Sequence, residues 1–292
     1  MKEILEESKE KWRSKIKEFA GKQLDFPWVV SVHVEERDSP EFSLDQATNQ
    51  GYDIRSYQVY LDERECDITM TGATHDRFYL HEGGGKIRLG DGNDSVDQLY
   101  LDRHGQRIES SASYTIFGGD GNDVLVGTSG RNRRRSDPGC YLNGGHHDDV
   151  LESRNIGDKL VGDAHSDHLI ADWYSDAIMT GGSEDGDYSH GNRDGDNIFE
   201  IQVLGGVGRN GEKTITDFDQ NDKIRFANET NSALDLRHGS NRGEFEVVQN
   251  DRLIATIHTS EDLFMIREGG RAGEDLIFTG RTHWNQQVEY AF

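Results

Sequence analysis

The chain has 292 residues, with 32 lysines and arginines against 55 aspartates and glutamates, and a formal net charge of −23. A surface this negative disfavours nucleic acids and anionic membranes as partners and favours cations. Hydrophobic residues make up 33% of the chain, and no run is long and apolar enough to predict a transmembrane segment. The 34 glycines and only 3 prolines favour a repeat protein that needs a counter-ion over a disordered chain.

The first 64 residues are predicted to form a short α/β cap. Apolar side chains recur on one face of a predicted helix over residues 4–20, at Leu5, Trp12, Ile16 and Phe19. Strands are predicted at 28–34 and 57–61. We expect the helix to cover an open end of the following repeats, and a partner-binding helix is the alternative. No apolar stretch of signal-peptide length occurs near Met1, so we expect no cleaved N-terminal signal.

A period of nine residues runs through the middle of the chain. Aspartates stand nine residues apart, each followed two residues later by an apolar residue: Asp149, Asp158, Asp167 and Asp176, with Leu151, Leu160, Leu169 and Ile178. A second run of the same period has Asp67, Asp76 and Asp94, with Thr69, Phe78 and Val96. Asp123 and Leu125 stand in a third phase. Polar insertions near 101–113 and 129–139 separate the runs. The period predicts a repeat region over residues 65–212.

Each nonapeptide is predicted to form one turn and one short strand, which together make half a coil. Glycine, aspartate and asparagine turn the chain, because Gly and Asn tolerate positive φ, and about three residues then form a strand with its middle side chain inward. Two units make one coil, so turns eighteen residues apart stack along one edge. Asp149 would then lie near Asp167, and Asp158 near Asp176 on the opposite edge. Rows of stacked carboxylates repel one another, which predicts a metal ion between the turns.

One unit carries a complete motif, Gly118-Gly119-Asp120-Gly121-Asn122-Asp123-Val124-Leu125-Val126. It resembles the G-G-x-G-x-D-x-U-x repeat of RTX (haemolysin-type) calcium-binding proteins. Residues 89–96 and 144–151 match less completely. Residues 214–226, TITDFDQNDKIRF, are similar to the segment that closes such repeats in serralysin-type C-terminal domains. The resemblance implies a mainly β fold, a calcium-loaded parallel β-roll, followed by a β-rich closing region over 213–292.

The resemblance also implies an extracellular protein exported by type I secretion machinery, with an uncleaved C-terminal signal. Calcium is the implied cofactor, with several ions but fewer ions than repeats, because many repeats have lost glycines. Asp94 and Asp123 are the leading side-chain ligands. Asp158 and Asp176 fit solvated turns better. The full predicted metal-binding set is Gly90, Asp91, Gly92, Asp94, Gly118, Gly119, Asp120, Gly121, Asp123, Gly144, Gly145, Asp149 and Asp167.

Histidines and cysteines leave further alternatives open. His147 and His165 stand eighteen residues apart and, with His146 and His168, could take zinc or copper. The alternative is that histidine replaces glycine in decaying repeats and faces water. Cys66 and Cys140 are the only cysteines, and either a disulfide or two thiols fits the sequence.

We find no enzyme motif. His81-Glu82 lacks the second histidine of a metalloprotease motif, and no Gly-x-Ser-x-Gly sequence occurs. We therefore predict a non-enzymatic calcium-binding protein. An alternative is a polysaccharide-binding or polysaccharide-modifying protein resembling the accessory modules of alginate epimerases, in which Arg131 and the arginine run 133–135 would bind an anionic polysaccharide. A third hypothesis is an intracellular scaffold that folds without calcium.

Overall fold

The computed structural model describes residues 29–33, 41–43, 56–60, 65–70, 76–80, 84–98, 113–127, 139–183, 195–203, 211–219, 221–228, 234–259, 262–267 and 276–281. All regular secondary structure in these segments is β-strand. In chain order they are β1 (Val29–His33), β2 (Glu41–Ser43), β3 (Ser56–Tyr60), β4 (Glu65–Thr69), β5 (Arg77–Leu80), β6 (Gly84–Asp91), β7 (Ser95–Gln98), β8 (Tyr114–Asp120), β9 (Val124–Val126), β10 (Tyr141–His146), β11 (Val150–Ser153), β12 (Lys159–Ala164), β13 (His168–Ala171), β14 (Ile178–Thr180), β15 (Ile198–Val203), β16 (Lys213–Phe218), β17 (Lys223–Asn228), β18 (Leu234–His238), β19 (Glu244–Gln249), β20 (Arg252–Thr259), β21 (Asp262–Arg267) and β22 (Leu276–Arg281).

The strands form two sheets of eleven strands each. The first sheet has the order β1-β3-β5-β7-β9-β11-β13-β15-β17-β22-β21, and the second β2-β4-β6-β8-β10-β12-β14-β16-β20-β19-β18. From β1 to β17 the chain therefore alternates between the sheets, and each pair of successive strands makes one coil. Neighbouring strands of successive coils are parallel. The protein is mainly β with parallel sheets, as the nine-residue period predicts.

Both sheets end in antiparallel strands at the C-terminal side. β22 pairs antiparallel with β17 and with β21, and β19 pairs antiparallel with β18 and β20. The closing region predicted over 213–292 is β-rich in its described residues. At the other end, β1 and β3 extend the first sheet and β2 the second. The predicted units 1–64, 65–212 and 213–292 thus share both sheets.

The core is a pair of apolar columns, one from each sheet. Inward side chains align across successive strands and are at most 1% exposed: Phe78, Val96, Leu125, Leu151, Leu169 and Phe199 in the first sheet, and Ile68, Ile87, Ile116, Leu142, Leu160 and Met179 in the second. The register is kept across both insertions, since Ile87 pairs with Ile116 and Ile116 with Leu142. The insertions therefore fall in the connections between β7 and β8 and between β9 and β10.

Two predicted inward positions are wrong. Ile178 is 42% exposed, and Met179 points inward in its place because Leu160 pairs with Met179. The turn before β14 holds one residue more than the period allows, which moves the apolar position along the strand by one. Thr69 is likewise half-buried, and its neighbour Ile68 fills the core.

The predicted helix over residues 4–20 lies outside the described residues. In the part of the chain that the structure describes, no helix has the length and apolarity needed to cross a bilayer.

Candidate metal-binding edge

The residues that precede the strands of the first sheet form a row, which we call the aspartate edge. It consists of Asp76, Asp94, Asp123, Asp149, Asp167, Asn197 and Asp222. Each is at most 2% exposed. They are buried because they stand at the point where each turn enters a parallel strand, between the turns of the coils on either side. The predicted ligands Asp94, Asp123, Asp149 and Asp167 are therefore neighbours in space.

A hydrogen-bond ladder connects this row. Each backbone N–H donates to the side-chain Oδ1 of the residue in the next coil. The donor–acceptor distances are 2.7 Å for Asp76 to Asp94, Asp94 to Asp123 and Asp123 to Asp149, 2.8 Å for Asp149 to Asp167, and 2.9 Å for Asp167 to Asn197 and Asn197 to Asp222. The ladder fixes one oxygen of each carboxylate and satisfies a buried backbone donor in each turn. The second oxygen, Oδ2, takes no part in the ladder.

Three successive Oδ2 atoms have no hydrogen-bond partner although they are buried: those of Asp94, Asp123 and Asp149. A buried carboxylate oxygen without a partner is costly, and such atoms in a folded protein call for an explanation such as a bound ion. Glycines lie directly against two of them. A β-carbon at Gly118 would overlap Asp123 Oδ2 and the Gly144 carbonyl oxygen, and one at Gly144 would overlap Asp149 Oδ2. The orphan oxygens of Asp123 and Asp149 thus lie in cradles that a larger residue would fill.

The pKa values of the same three carboxyls are displaced upward. Burial raises the pKa of Asp94 and of Asp123 to about 7, against the hydrogen bond each accepts from the backbone. The pKa of Asp149 rises to about 8, mainly through burial and also through the nearby charges of Asp123 and Asp148. Without a cation, then, the fold favours the protonated, uncharged carboxyls.

The turns leading into these aspartates have glycines at positive φ. The φ angles are 94° at Gly90, 135° at Gly92, 116° at Gly119, 129° at Gly121 and 106° at Gly145. Gly119 and Gly121 also have no room for a β-carbon, which would overlap the carbonyl oxygens of Gly90 and Gly92 in the preceding coil. Along this edge, the backbone carbonyl groups of one glycine turn therefore lie against the glycines of the turn in the next coil.

The decayed repeats keep the same turn with other residues. His147, Asp163 and His165 have φ angles of 81°, 82° and 80°, so they take the conformation of the glycines that they replace. The His147 and His165 rings stack with centroids 5.3 Å apart, and the His147 N–H donates to His165 Nδ1 at 3.1 Å. The interpretation of histidine as a replacement for glycine in decaying repeats accounts for this geometry.

Asp91 and Asp120, in the third place of their turns, are exposed, and His146 Nδ1 lies 2.9 Å from Asp120 Oδ1. No three His, Cys, Asp or Glu side chains converge among the residues that the structure describes. A zinc or copper site at the histidines therefore lacks the side-chain set that such metals prefer. An ion on the aspartate edge would instead take carboxylate and carbonyl oxygens, the donors that suit calcium.

The opposite edge of the coils is built differently. Asp158 accepts hydrogen bonds on both oxygens, from Cys140 N at 2.8 Å, and from Ser153 Oγ, Arg154 N and Asn155 N at 3.0, 3.2 and 2.9 Å. Asp176 Oδ1 accepts from Glu212 N at 2.8 Å. These contacts satisfy the carboxylates within the protein. The prediction of a solvated turn is wrong for Asp158, which is 0% exposed, whereas Asp176 is half-buried.

A buried lysine supplies positive charge on this edge. Lys213 is 1% exposed, and its Nζ donates to the carbonyl oxygens of Trp173 and Gly211 at 3.0 and 3.1 Å. Burial lowers the Lys213 pKa to about 8, and the carboxylates of Asp172 and Asp176 oppose the shift. An ammonium group thus neutralises the acidic turns here. Sequence reasoning missed Lys213, because a lysine at the start of a strand gives no signal of burial.

The segment 214–226 ends the aspartate edge, and backbone N–H groups satisfy its carboxylates. Asp217 accepts from the N–H groups of Gly181 and Gly182 at 2.9 and 2.8 Å. Asp222 accepts from Asn197 N on Oδ1 and from Asp219 N on Oδ2, each at 2.9 Å. The neutral Asn197 precedes this segment in the ladder. In the sequence, Asn197 belongs to the last repeat-like unit, residues 191–199.

The cysteines cannot form a disulfide in this fold. Cys66 lies in β4, and Cys140 directly precedes β10, so β6 and β8 separate them. Three strand spacings are about 14 Å, twice the longest Cα–Cα distance that a disulfide spans. Cys140 is a buried thiol. The arginine run 131–135 lies outside the described residues.

Comparison with models of protein families, with curated proteins and with solved structures finds no match to this chain.

Proposed function

We propose that this chain binds calcium along the aspartate edge and that calcium binding drives the closure of its coils into an RTX-type β-roll. The observation that supports this most directly is the run of three buried Oδ2 atoms without partners, on Asp94, Asp123 and Asp149. Three uncompensated carboxylates in successive coils would repel one another and resist burial. Bound cations remove both costs.

In this proposal the ligands are the Oδ2 atoms of those three aspartates and the carbonyl oxygens of the glycine turns, those of Gly90, Gly92, Gly119 and Gly144 included. Calcium takes six to eight oxygens at flexible geometry, so carbonyl groups from two coils can complete a set that side chains alone do not provide. Calcium supplies positive charge between the stacked turns. The ions are fewer than the repeats, because Asn197 and the closing segment need none.

Binding that exists only in the folded state becomes folding free energy. A site at ten times its dissociation constant adds about 1.4 kcal/mol. Extracellular calcium modules have dissociation constants of about 10⁻⁴–10⁻³ M. The chain would therefore stay open in a cytosol poor in calcium and close outside the cell. This fits the export by type I secretion machinery and the extracellular location that the resemblance implies. The function is calcium binding without catalysis.

The test is a calcium titration of the chelated protein by far-ultraviolet circular dichroism, with magnesium as the control ion. We expect a cooperative gain of β signal near millimolar calcium and none in magnesium. Asp123→Asn separates charge from shape, because an asparagine oxygen can keep the ladder as Asn197 does. This variant should be better folded than the native protein in chelator, since it buries no charge, and should gain less from calcium.

Asp251→Asn is the matched control, because this carboxylate is 86% exposed and stands away from the edge. It should leave both the chelated and the calcium-loaded spectra unchanged. A native spectrum that is fully β in chelator and unchanged by calcium would contradict the proposal and favour a scaffold that folds without ions.

A further inference from the structure

The outer face of the second sheet differs in charge from the rest of the molecule. The outward positions of β6, β8, β10 and β12 hold three cations, Lys86, Arg88 and Lys159, and one carboxylate, that of Asp163, which accepts a hydrogen bond from Asn143 Nδ2 at 3.3 Å. The other outward side chains in register are those of Thr115, Phe117, Tyr141 and Val161, of which Val161 is 1% exposed. The chain as a whole has 55 acidic residues against 32 basic ones. On the first sheet, the outward residues of the same coils include the carboxylates of Asp97 and Glu152, which pair with Arg154.

Two aromatic rings stand in the middle of this face between two lysines. The Phe117 and Tyr141 ring centroids are 5.8 Å apart with an angle of 45° between the planes. Lys86 Nζ lies 4.7 Å from the Phe117 centroid, and Lys159 Nζ lies 6.0 Å from the Tyr141 centroid. All four side chains are half-buried, so part of each reaches the surface. The side chains of Lys86, Phe117, Tyr141 and Lys159 thus form a row of neighbouring groups across the adjacent strands β6, β8, β10 and β12.

This arrangement has the chemistry of a site for an acidic sugar polymer. The electron-rich faces of aromatic rings attract the C–H groups of a pyranose ring, whose hydrogens carry partial positive charge. Lys86 and Lys159 stand on strands three spacings apart, about 14 Å between backbones, so their ammonium groups can pair with carboxylates that a polymer carries at intervals. A nucleic acid carries a far denser negative charge, which a protein of net charge −23 repels. Asp67 on β4 and Asp163 at the end of β12 limit the cationic face on two sides.

We propose that the outer face of the second sheet, across Lys86, Phe117, Tyr141 and Lys159, binds an acidic polysaccharide of uronic acid units. It differs from the aspartate edge in position and in the sign of its charge. It depends on the proposed function only in that the coils must be closed for the row to form.

Isothermal titration of the calcium-loaded full chain with short oligogalacturonate tests the site, and short oligomers avoid calcium gels. Phe117→Thr combined with Tyr141→Thr should weaken binding about tenfold, because both rings that would contact the pyranose units are removed. Lys86→Thr combined with Lys159→Thr should weaken it about as much and flatten its dependence on salt. Threonine suits strands and already occupies position 115 of this face.

Lys223→Thr is the matched control, because Lys223 is an exposed lysine on the outer face of the first sheet; it should bind like the native protein. The calcium response of each variant in circular dichroism should stay native, which separates a lost sugar site from a lost fold. A native protein that closes in calcium but does not bind oligogalacturonate overturns the proposal and leaves the calcium function standing.

Three other results would also overturn it. One is unchanged affinity in both double variants. Another is equal affinity for single-stranded DNA or for a neutral glucan, because the site would then not select acidic sugars. The third is loss of binding only when Arg131 and Arg133–135 are replaced by alanine, which would place the site on the insertion.

Discussion

The two edges of the coils treat their charged groups differently. On the aspartate edge, three successive carboxylates each keep a buried oxygen without a hydrogen-bond partner. On the opposite edge, Asp158 accepts four hydrogen bonds, and the Lys213 ammonium group donates to two carbonyl groups. Both edges turn the same coils and both carry acidic residues. One edge thus satisfies its charges within the protein, and the other leaves three buried carboxylate oxygens without hydrogen-bond partners. Under the proposed calcium binding, a single solenoid combines an edge that is complete in itself with an edge that depends on ions.

The largest expected effect is the pH dependence of the chelated protein. The pKa values of Asp94, Asp123 and Asp149 rise from 3.8 in the unfolded chain to about 7, 7 and 8. The folded state therefore binds more protons between about pH 4 and pH 8, and its stability falls as the pH rises through this window. Far-ultraviolet circular dichroism in chelator should show more β structure at pH 5 than at pH 7.5. In calcium the difference should disappear, because the ions favour the charged carboxylates.

The triple variant Asp94→Asn, Asp123→Asn, Asp149→Asn serves as the control and should lose most of this pH dependence in chelator. The triple variant also corrects for Lys213, whose pKa of about 8 lies near the upper end of this range. A native chelated protein that gains β structure as the pH rises would contradict the assignment of the three carboxyls as the conditional part of the edge.

The second prediction concerns the built-in cation of the opposite edge. Lys213→Met leaves the Trp173 and Gly211 carbonyl groups without their donor and Asp172 and Asp176 without a nearby positive charge. Removing one partner of a buried ionic group costs about 3 kcal/mol. Urea unfolding should show this loss of unfolding free energy at saturating calcium as well, because calcium acts on the other edge. Lys223→Met, at an exposed lysine, should change stability by at most about 0.5 kcal/mol. Rescue of Lys213→Met by added calcium would show that the two edges are not distinct.

Much of the fold was predictable because the nine-residue period assigns residues to turns and strands and predicts which of them stack. Asp149 and Asp167 with Leu151 and Leu169 fix which residues stack, and the structure places them in one ladder and one core column. Ile178 shows the limit: one extra residue in a turn shifts the strand, and no local signal distinguishes it from a regular repeat.

The candidate site was predictable in its residues but not in its contacts. The sequence motif predicts Asp94 and Asp123 as ligands, yet it cannot reveal which carboxylate oxygens the next coil satisfies. That depends on pairs 29 and 26 residues apart across insertions of irregular length. The burial of Lys213 could not be predicted for the same reason, because its carbonyl partner Trp173 is 40 residues away in the chain.

The smallest expected effects come from two alanine substitutions at glycines with positive φ. Gly121, on the aspartate edge, has a φ of 129°, and Gly157, beside the opposite edge, has a φ of 79°. Gly121→Ala adds backbone strain and places its β-carbon on the Gly92 carbonyl oxygen, so we expect a loss of about 2 kcal/mol and a weaker response to calcium. Gly157→Ala should cost about 1 kcal/mol through strain alone and keep the full calcium response. The comparison requires calcium titrations of both variants beside urea unfolding. If both lost the calcium response equally, the response would report general stability. If only Gly121→Ala lost it, the response would belong to the aspartate edge, where the glycine turns bring carbonyl groups beside the orphan carboxylate oxygens.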